Sequence, residues 1–266
     1  MHYDPIKELL GKVFNRHPLI RRLFYSLLNV LLLRSWHVRK ALKKAARNIS
    51  PSASVLDAGM GFGQYTWWMA GKFPGWSITA SDIKQEQVSD CNSFFDRTGI
   101  SERVKATDED LVTMQAAGIY DLIVCVDVME HIEQDRMVFS NFCRALKGGG
   151  MVVISTPSDK GGSDVHDEGD ESFIGEHVRD GYSVEDITLK LSEAGFKNIC
   201  ASYTYGTAGS IAWRLSMKYP VLMLSASKLF FILLPFYYIL VMPFCLVLNF
   251  IDLYKHNNEG TGKGSI

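Results

Sequence analysis

The sequence predicts an α/β fold: a doubly wound, mostly parallel sheet with helices on both faces, N-terminal helices before it and a C-terminal apolar helical segment after it. Three observations carry this. Short strand-like runs alternate with helix-patterned stretches between residues 54 and 203. The first such run, Ser54-Val55-Leu56-Asp57-Ala58, ends in a bend holding Gly59, Gly61 and Gly63, directly before a helical stretch. Residues 120–126 form a run that is apolar except for Asp121, as expected of a central parallel strand buried on both faces.

Bulk properties bound the rest. A chain of 266 residues, 47% of them apolar, suits one α/β domain of ordinary size with additions. Cys91, Cys125, Cys143, Cys200 and Cys245 contain no Cys-x-x-Cys pair, which argues against a zinc site or disulfide framework and fits a reducing compartment. Net charge is −1, but it is unevenly spread. Residues 1–50 hold 11 Lys and Arg against 2 acids, residues 51–200 hold 12 against 25, and residues 201–266 hold 5 against 2. An acidic middle between two basic, apolar ends suits a surface that meets anionic lipid. Nucleic acid fits less well, because the basic end is interleaved with aliphatic residues and carries no known reader motif. Nothing in the sequence sets the oligomeric state.

Residues 1–17 are mixed in character. The apolar run begins late and no small-residue cleavage site follows Leu33, so no cleavable signal peptide is expected. From residue 18 to about 48, Leu19, Ile20, Leu23, Phe24, Leu27, Leu28, Leu31 and Leu32 recur at helical spacing among arginines and lysines. One or two helices are predicted. They either pack on the domain or lie amphipathically at a membrane while roofing the substrate site, and the two readings are compatible.

The first strand and the glycine bend lead into a helix over residues 64–73, whose unpaired N–H groups point back at the bend. Residues 77–81 read as a second strand ending in Asp82, the place where nucleotide-binding α/β sheets hold a ribose hydroxyl pair. A helix over 84–97 precedes a third strand over 103–107, followed by Asp108-Glu109-Asp110. The acids would also suit the start of a helix over 111–117. The apolar fourth strand ends in Asp127-Val128-Met129-Glu130-His131, placed at the carboxyl edge of the sheet where ligands bind. A helix over 133–146 is stopped by Gly148-Gly149-Gly150, and the fifth strand, 151–155, ends at Thr156-Pro157. Residues 158–182 are rich in acids and glycines with His166 and His177, and read as a mobile acidic loop or a lid over the acceptor. A capped helix over 183–194 and a sixth strand over 196–203 follow.

Four ordered segments give the chain a resemblance to a family. Asp57-x-Gly59-x-Gly61-x-Gly63, the acid ending the second strand, the acids after the third, and Asp127-x-x-Glu130-His131 resemble the motifs of class I S-adenosylmethionine (SAM)-dependent methyltransferases, of the small-molecule and quinone type. The resemblance covers residues 45–205, with Glu176-His177-Val178-Arg179-x-Gly181-Tyr182 as a further shared segment. It implies a Rossmann-like fold with SAM as cofactor. Asp57, Gly59, Gly61 and Gly63 would surround its methionine part, Asp82 with Ile83 its ribose, Asp108 and Glu109 its adenine, and Asp127 the reacting end. An acid at 57 suits an amino group and a sulfonium better than a pyrophosphate. Asp127, Glu130 and His131 are the catalytic candidates. His131 could serve as a general base or be structural. By analogy with some quinone O-methyltransferases the same three could ligate a divalent metal.

The end of the chain departs from the family. Residues 229–251 hold 23 residues without a charge, long enough to cross a bilayer. Pro235 and Pro243 would interrupt that helix, and a bent hairpin dipping into one leaflet or a buried helix pair are the alternatives. The tail, 257–266, stands where a seventh strand would begin. The chain thus divides into basic helices (1–50), a SAM-binding domain (51–205), an apolar helical segment (206–256) and a polar tail (257–266). The expected activity is transfer of a methyl group, to oxygen by preference, onto a lipophilic acceptor that is quinone-, phenol/polyene- or lipid-like. The enzyme is expected on the cytoplasmic side of a membrane, peripheral or monotopic. Two rivals are a membrane-associated protein that holds SAM or its product without turnover, and a nicotinamide oxidoreductase using Asp82. The missing Gly-x-Gly-x-x-Gly counts against the second.

Overall fold

Strands that are apolar on both faces must be covered twice, and the chain supplies the cover between them. The computed structural model describes residues 17–160, 178–179, 181–227 and 229–254. Strands β1 (Ser54–Ala58), β2 (Ser77–Asp82), β3 (Val104–Asp108), β4 (Tyr120–Val126) and β5 (Leu146–Ser155) form one parallel sheet in the order β3-β2-β1-β4-β5. β1 pairs with β2 on one side and β4 on the other, so the strand order reverses there and leaves a crevice at the carboxyl ends. Register sets Asp57 opposite Val124 and Ala58 opposite Cys125, so the bends after β1 and β4 leave the sheet side by side.

The helices are α1 (Pro18–Leu31), α2 (Leu33–Ala45), α3 (Gln64–Lys72), α4 (Gln85–Arg97), α5 (Asp135–Ala145), α6 (Val184–Glu193), α7 (Thr207–Trp213), α8 (Tyr219–Ala226) and α9 (Phe230–Tyr254). Successive strand residues point to opposite faces. Val55, Leu122 and Val124 therefore join the core under Tyr25, Leu42, Met69, Phe94 and Phe95. Leu56, Ile123 and Cys125 join the other, with Met129, Phe139, Phe142 and Ile187.

The N-terminal region is two helices, parted at Leu32 by an extended backbone (φ −89, ψ 110). α1 is fastened by the buried Arg21, whose guanidinium donates to Tyr25 Oη (2.6 Å), Phe62 O (2.9 Å) and Asp90 O (3.1 Å) and lies 4.8 Å from the Phe94 ring centre. A buried arginine is tolerated because several of its donors are satisfied in this way.

Four expectations need correction. Residues 111–113 form a turn and 114–117 run irregularly rather than as a helix, because α5 takes their carbonyls: Asn141 Nδ2 donates to Leu111 O (2.9 Å) and Val112 O (2.8 Å), and Arg144 to Met114 O. β5 starts at Leu146 and runs through the three glycines, with a register shift opposite Tyr120 and Leu122. Residues 196–203 are not a strand. Phe196, Ile199 and Ala201 pack on the second core, but Asn198 turns left-handed (φ 56) and the backbone finds no partner strand among the described residues. α9 passes Pro235 and Pro243 unbroken. Each proline leaves one carbonyl, four residues earlier, without its helical donor. Residues 161–177 of the acidic stretch, with His166 and His177, and the tail at 257–266, where a seventh strand would be very short or missing, lie outside the described residues.

Candidate active site

The glycine bend is tied to the neighbouring strand: the N–H groups of Gly59 and Met60 both donate to Ser81 O at 2.9 Å. Gly59 is left-handed (φ +75), and a Cβ there would fall 2.3 Å from Val128 Cγ2. The bend after β1 thus presses directly on the turn after β4, which only a glycine permits. Gly61 is also left-handed (φ +52), but a Cβ there would meet nothing within 4 Å. Its N–H donates to Asp82 Oδ2 at 2.9 Å, so Asp82 faces the bend.

The carboxylates gather around this bend to different degrees. Asp57 is 2% exposed and accepts a hydrogen bond from Thr66 Oγ1. Burial pushes its carboxyl up to about 6, with the Thr66 bonds pulling back. Asp82 Oδ1 accepts from Lys84 N (3.0 Å), and its backbone carbonyl receives Glu109 N (3.2 Å). Burial also raises the half-buried Glu109. Asp108 is exposed and held by Gln85 Nε2 at 2.8 Å, and Ile83 is exposed as well. The bend is therefore tightly built with Asp57 and Asp82, and the surface beside it is open at Ile83 and Asp108.

After β4, Asp127 is left-handed (φ 53) although it carries a side chain, and its N–H donates to Ser155 O at 2.8 Å. Such strain in a non-glycine residue concentrates at functional sites. Its carboxylate is ion-paired with Arg34 of α2. Glu130 is buried, accepts from Thr156 Oγ1 (3.1 Å), and is pushed up chiefly by burial, with His131 and Arg34 opposing. His131 stands on the exposed side of the same turn, its N–H on Val128 O at 3.0 Å. Among the described residues no group of three His, Cys, Asp or Glu side chains converges as a metal site would require.

A roof of N-terminal helices was one reading of the sequence, but the motifs did not name the residues that fasten it. Arg34 N–H donates to Tyr205 Oη (2.9 Å), Ser35 Oγ lies 3.3 Å from Tyr65 Oη, and Gln64 Nε2 donates to Ser35 Oγ (3.0 Å) and Asn29 Oδ1 (3.0 Å). α1 and α2 therefore cover the start of α3 and reach the turn after β4 together. One signal was available: Arg34 is a lone charge in the run Leu31-Leu32-Leu33-Arg34-Ser35-Trp36.

The residues fit SAM. Open space lies before Gly61, and a buried acid with a raised carboxyl, Asp57, gains most from a cationic ligand. When bound, SAM supplies a methyl group on a positively charged sulfur.

Comparison with known proteins agrees. Residues 33–201 match the methyltransferase domain family. Among curated relatives, the ubiquinone biosynthesis O-methyltransferase of Rickettsia felis is 28% identical over 102 residues, 38% of this chain and 40% of that protein. That of Xanthomonas campestris pv. campestris is 32% identical over 114 residues, 42% of this chain and 46% of that protein. The match thus spans less than half the length of either relative. Among solved structures, a protein described as a sarcosine dimethylglycine methyltransferase from Galdieria sulphuraria aligns with a TM-score of 0.59 at 18% identity, covering 81% of this chain and 78% of its own. The phosphoethanolamine N-methyltransferase 2 of Haemonchus contortus, with SAM, aligns with a TM-score of 0.56 at 17% identity, covering 72% and 48%. With the glycine bend, the buried Asp57 and the switch point already in place, this family match makes the chain a member of the methyltransferase domain family and a class I SAM-dependent methyltransferase.

Proposed function

We propose that this methyltransferase transfers its methyl group to an oxygen of a lipophilic, quinone-like acceptor taken from a membrane on whose cytoplasmic side it sits. The observation that carries this is the placing of exposed apolar helix faces beside the roof of the site. On α1, Leu19, Leu23 and Leu27 are at least 48% exposed. On α9, the apolar surface is almost wholly uncovered, unlike that of the core helix of a soluble protein. α2, which meets α9 through His37 and Lys40, carries Arg34 to Asp127. The names of the curated relatives, at low identity, support a quinone-type acceptor and attack by oxygen.

In this reading the bend and Asp82 hold the donor, and Asp57 balances its positive charge. The turn at 127–131, pressed onto the bend through Val128, aligns the acceptor oxygen with the methyl group, and alignment supplies most of the rate. His131 is the candidate to take a proton from an acceptor hydroxyl, while buried Glu130, bonded to Thr156, holds the turn. Ile83, Asp108 and Glu109 flank the adenine.

The test is incubation of the full chain with methyl-labelled SAM and a bacterial membrane lipid extract, followed by mass spectrometry of the products. The expected result is label on an oxygen of an organic-soluble product. Label confined to nitrogen, carbon or water-soluble products would contradict the proposal.

A further inference from the structure

The glycine bend does not fix its own shape. Gly61 and Gly63 are left-handed (φ +52 and +75) on either side of Phe62. Glycine adopts either sign of φ about equally well, so the peptide joining Phe62 to Gly63 can flip unless something outside the bend grips it. The N–H of that peptide donates to Met60 O at 2.8 Å, a bond within the bend. Its carbonyl is gripped from outside, by α1. Arg21 Nη2 donates to Phe62 O at 2.9 Å, and Tyr25 Oη donates to the same oxygen. Tyr25 Oη in turn accepts from Arg21 Nε at 2.6 Å.

Both side chains are buried, and Arg21 is itself held by α4, through Asp90 O (3.1 Å) and Cys91 Sγ (2.9 Å). The Phe62 carbonyl is thus tied to two helices at once. There is little slack around it. A Cβ on Gly63 would lie 3.2 Å from Cys91 Sγ and 3.6 Å from Tyr25 Oη. Farther along α1, Asn29 Oδ1 receives Gln64 Nε2 (3.0 Å), so the same helix also holds the first residue of α3. None of these side chains reaches the space before Gly61, where a Cβ would meet nothing within 4 Å.

We propose that Tyr25 and Arg21 are positioning residues for the cofactor: they fix the Phe62 carbonyl, and with it the bend, in the orientation that receives the methionine part of SAM. The inference rests on the reading of the bend as the donor site. Neither residue touches SAM. Their effect passes through a main-chain carbonyl, which motif spacing does not encode. Without the Tyr25 hydroxyl the oxygen keeps one donor, and the peptide visits its flipped state. Affinity then falls in proportion to the fraction of molecules whose bend is no longer competent.

The test is calorimetric titration of the full chain and of Tyr25→Phe with two probes. S-adenosylhomocysteine carries the amino-acid part, while 5′-methylthioadenosine keeps the adenosine and the sulfur without it. Tyr25→Phe removes only the hydroxyl and leaves the ring against Phe94, 5.8 Å between ring centres. The expected result is about fivefold weaker binding of S-adenosylhomocysteine, in keeping with one lost hydrogen bond, and affinity for 5′-methylthioadenosine within about twofold of the native value. Arg21→Lys, which carries its charge on one nitrogen instead of three, is expected to lose at least as much on the first probe. Equal losses on both probes would mean a general loosening of the fold and would overturn the proposal. Amide hydrogen exchange gives a second readout: residues 61–66 should lose protection in Tyr25→Phe while residues 18–31 keep theirs. Protection lost along α1 as well would mean that the hydroxyl docks the helix rather than orients the bend, and unchanged protection at 61–66 would mean that the bend holds itself. Either outcome contradicts the assignment. If the native protein binds no S-adenosylhomocysteine, the donor-site reading fails and takes this inference with it. Native binding that Tyr25→Phe leaves unchanged would sink the inference alone.

Discussion

Asp57→Asn is expected to make the folded protein more stable at pH 7 while weakening its hold on SAM. The carboxyl of Asp57 is raised to about 6 by burial, above its value in an unfolded chain. A raised acid binds its proton more tightly in the folded state, so folding gains from protonation. That benefit is present below about pH 4 and is lost as pH rises through about 6. At pH 7 and above the buried charge costs on the order of 2–3 kcal/mol, from a shift of about two units. An amide of the same shape carries no such cost. Chemical denaturation between pH 4 and pH 8 should therefore show the substituted protein gaining on the native one by ~2 kcal/mol as pH rises. In the same preparation, affinity for SAM should fall at least tenfold, because the cation loses its counter-charge. Equal pH profiles for the two proteins would remove Asp57 as a charge held in waiting for a ligand. Stability is spent at this position on function, a trade common to binding sites.

The second large effect is expected at Gly59→Ala. Left-handed backbone costs an L-residue on the order of 1–2 kcal/mol. The new methyl would also lie 2.3 Å from Val128 Cγ2, and overpacking of this kind costs about 1–3 kcal/mol more. A loss of ~3 kcal/mol in urea unfolding, together with failure to bind S-adenosylhomocysteine, is the expected outcome. Adding Val128→Ala should return one to two kcal/mol, roughly the overpacking part, and leave the backbone part in place. If the second substitution restores nothing, the contact between the bend and the turn after β4 is not what makes glycine necessary there.

The parts of the fold that were legible in the sequence are those fixed by local periodicity. The five strands and the helices between them follow from runs such as 54–58 and 120–126, buried on both faces, and from the glycine bend. What escaped depends on distant partners. Residues 196–203 have the apolar pattern of a strand, but a strand needs a neighbour, and the left-handed Asn198 turns the chain away. Residues 111–117 have helical character, yet Asn141 and Arg144, some thirty positions on, take the carbonyls a helix would use. The site shows the same division. Asp57, Gly59, Gly61 and Asp82 could be read because motif spacing encodes them. Arg34, Tyr65 and Tyr205 could not, because they meet only after α2 has folded across the sheet. His131 and Glu130 are neighbours in sequence with opposite burial, which no motif distinguishes.

One position separates the donor nest from the scaffold that surrounds it. A methyl group on Gly61 would meet no protein atom within 4 Å, so Gly61→Ala should cost only the backbone term, about 1 kcal/mol. The space it would fill is assigned to SAM. Calorimetric titration of the full chain with S-adenosylhomocysteine should therefore reveal one site in the native protein and at least a thirtyfold weaker one in Gly61→Ala, with the melting temperature moved by only a few degrees. Equal affinity in the two proteins, or no binding to the native one, would contradict the assignment of the glycine bend as the cofactor site.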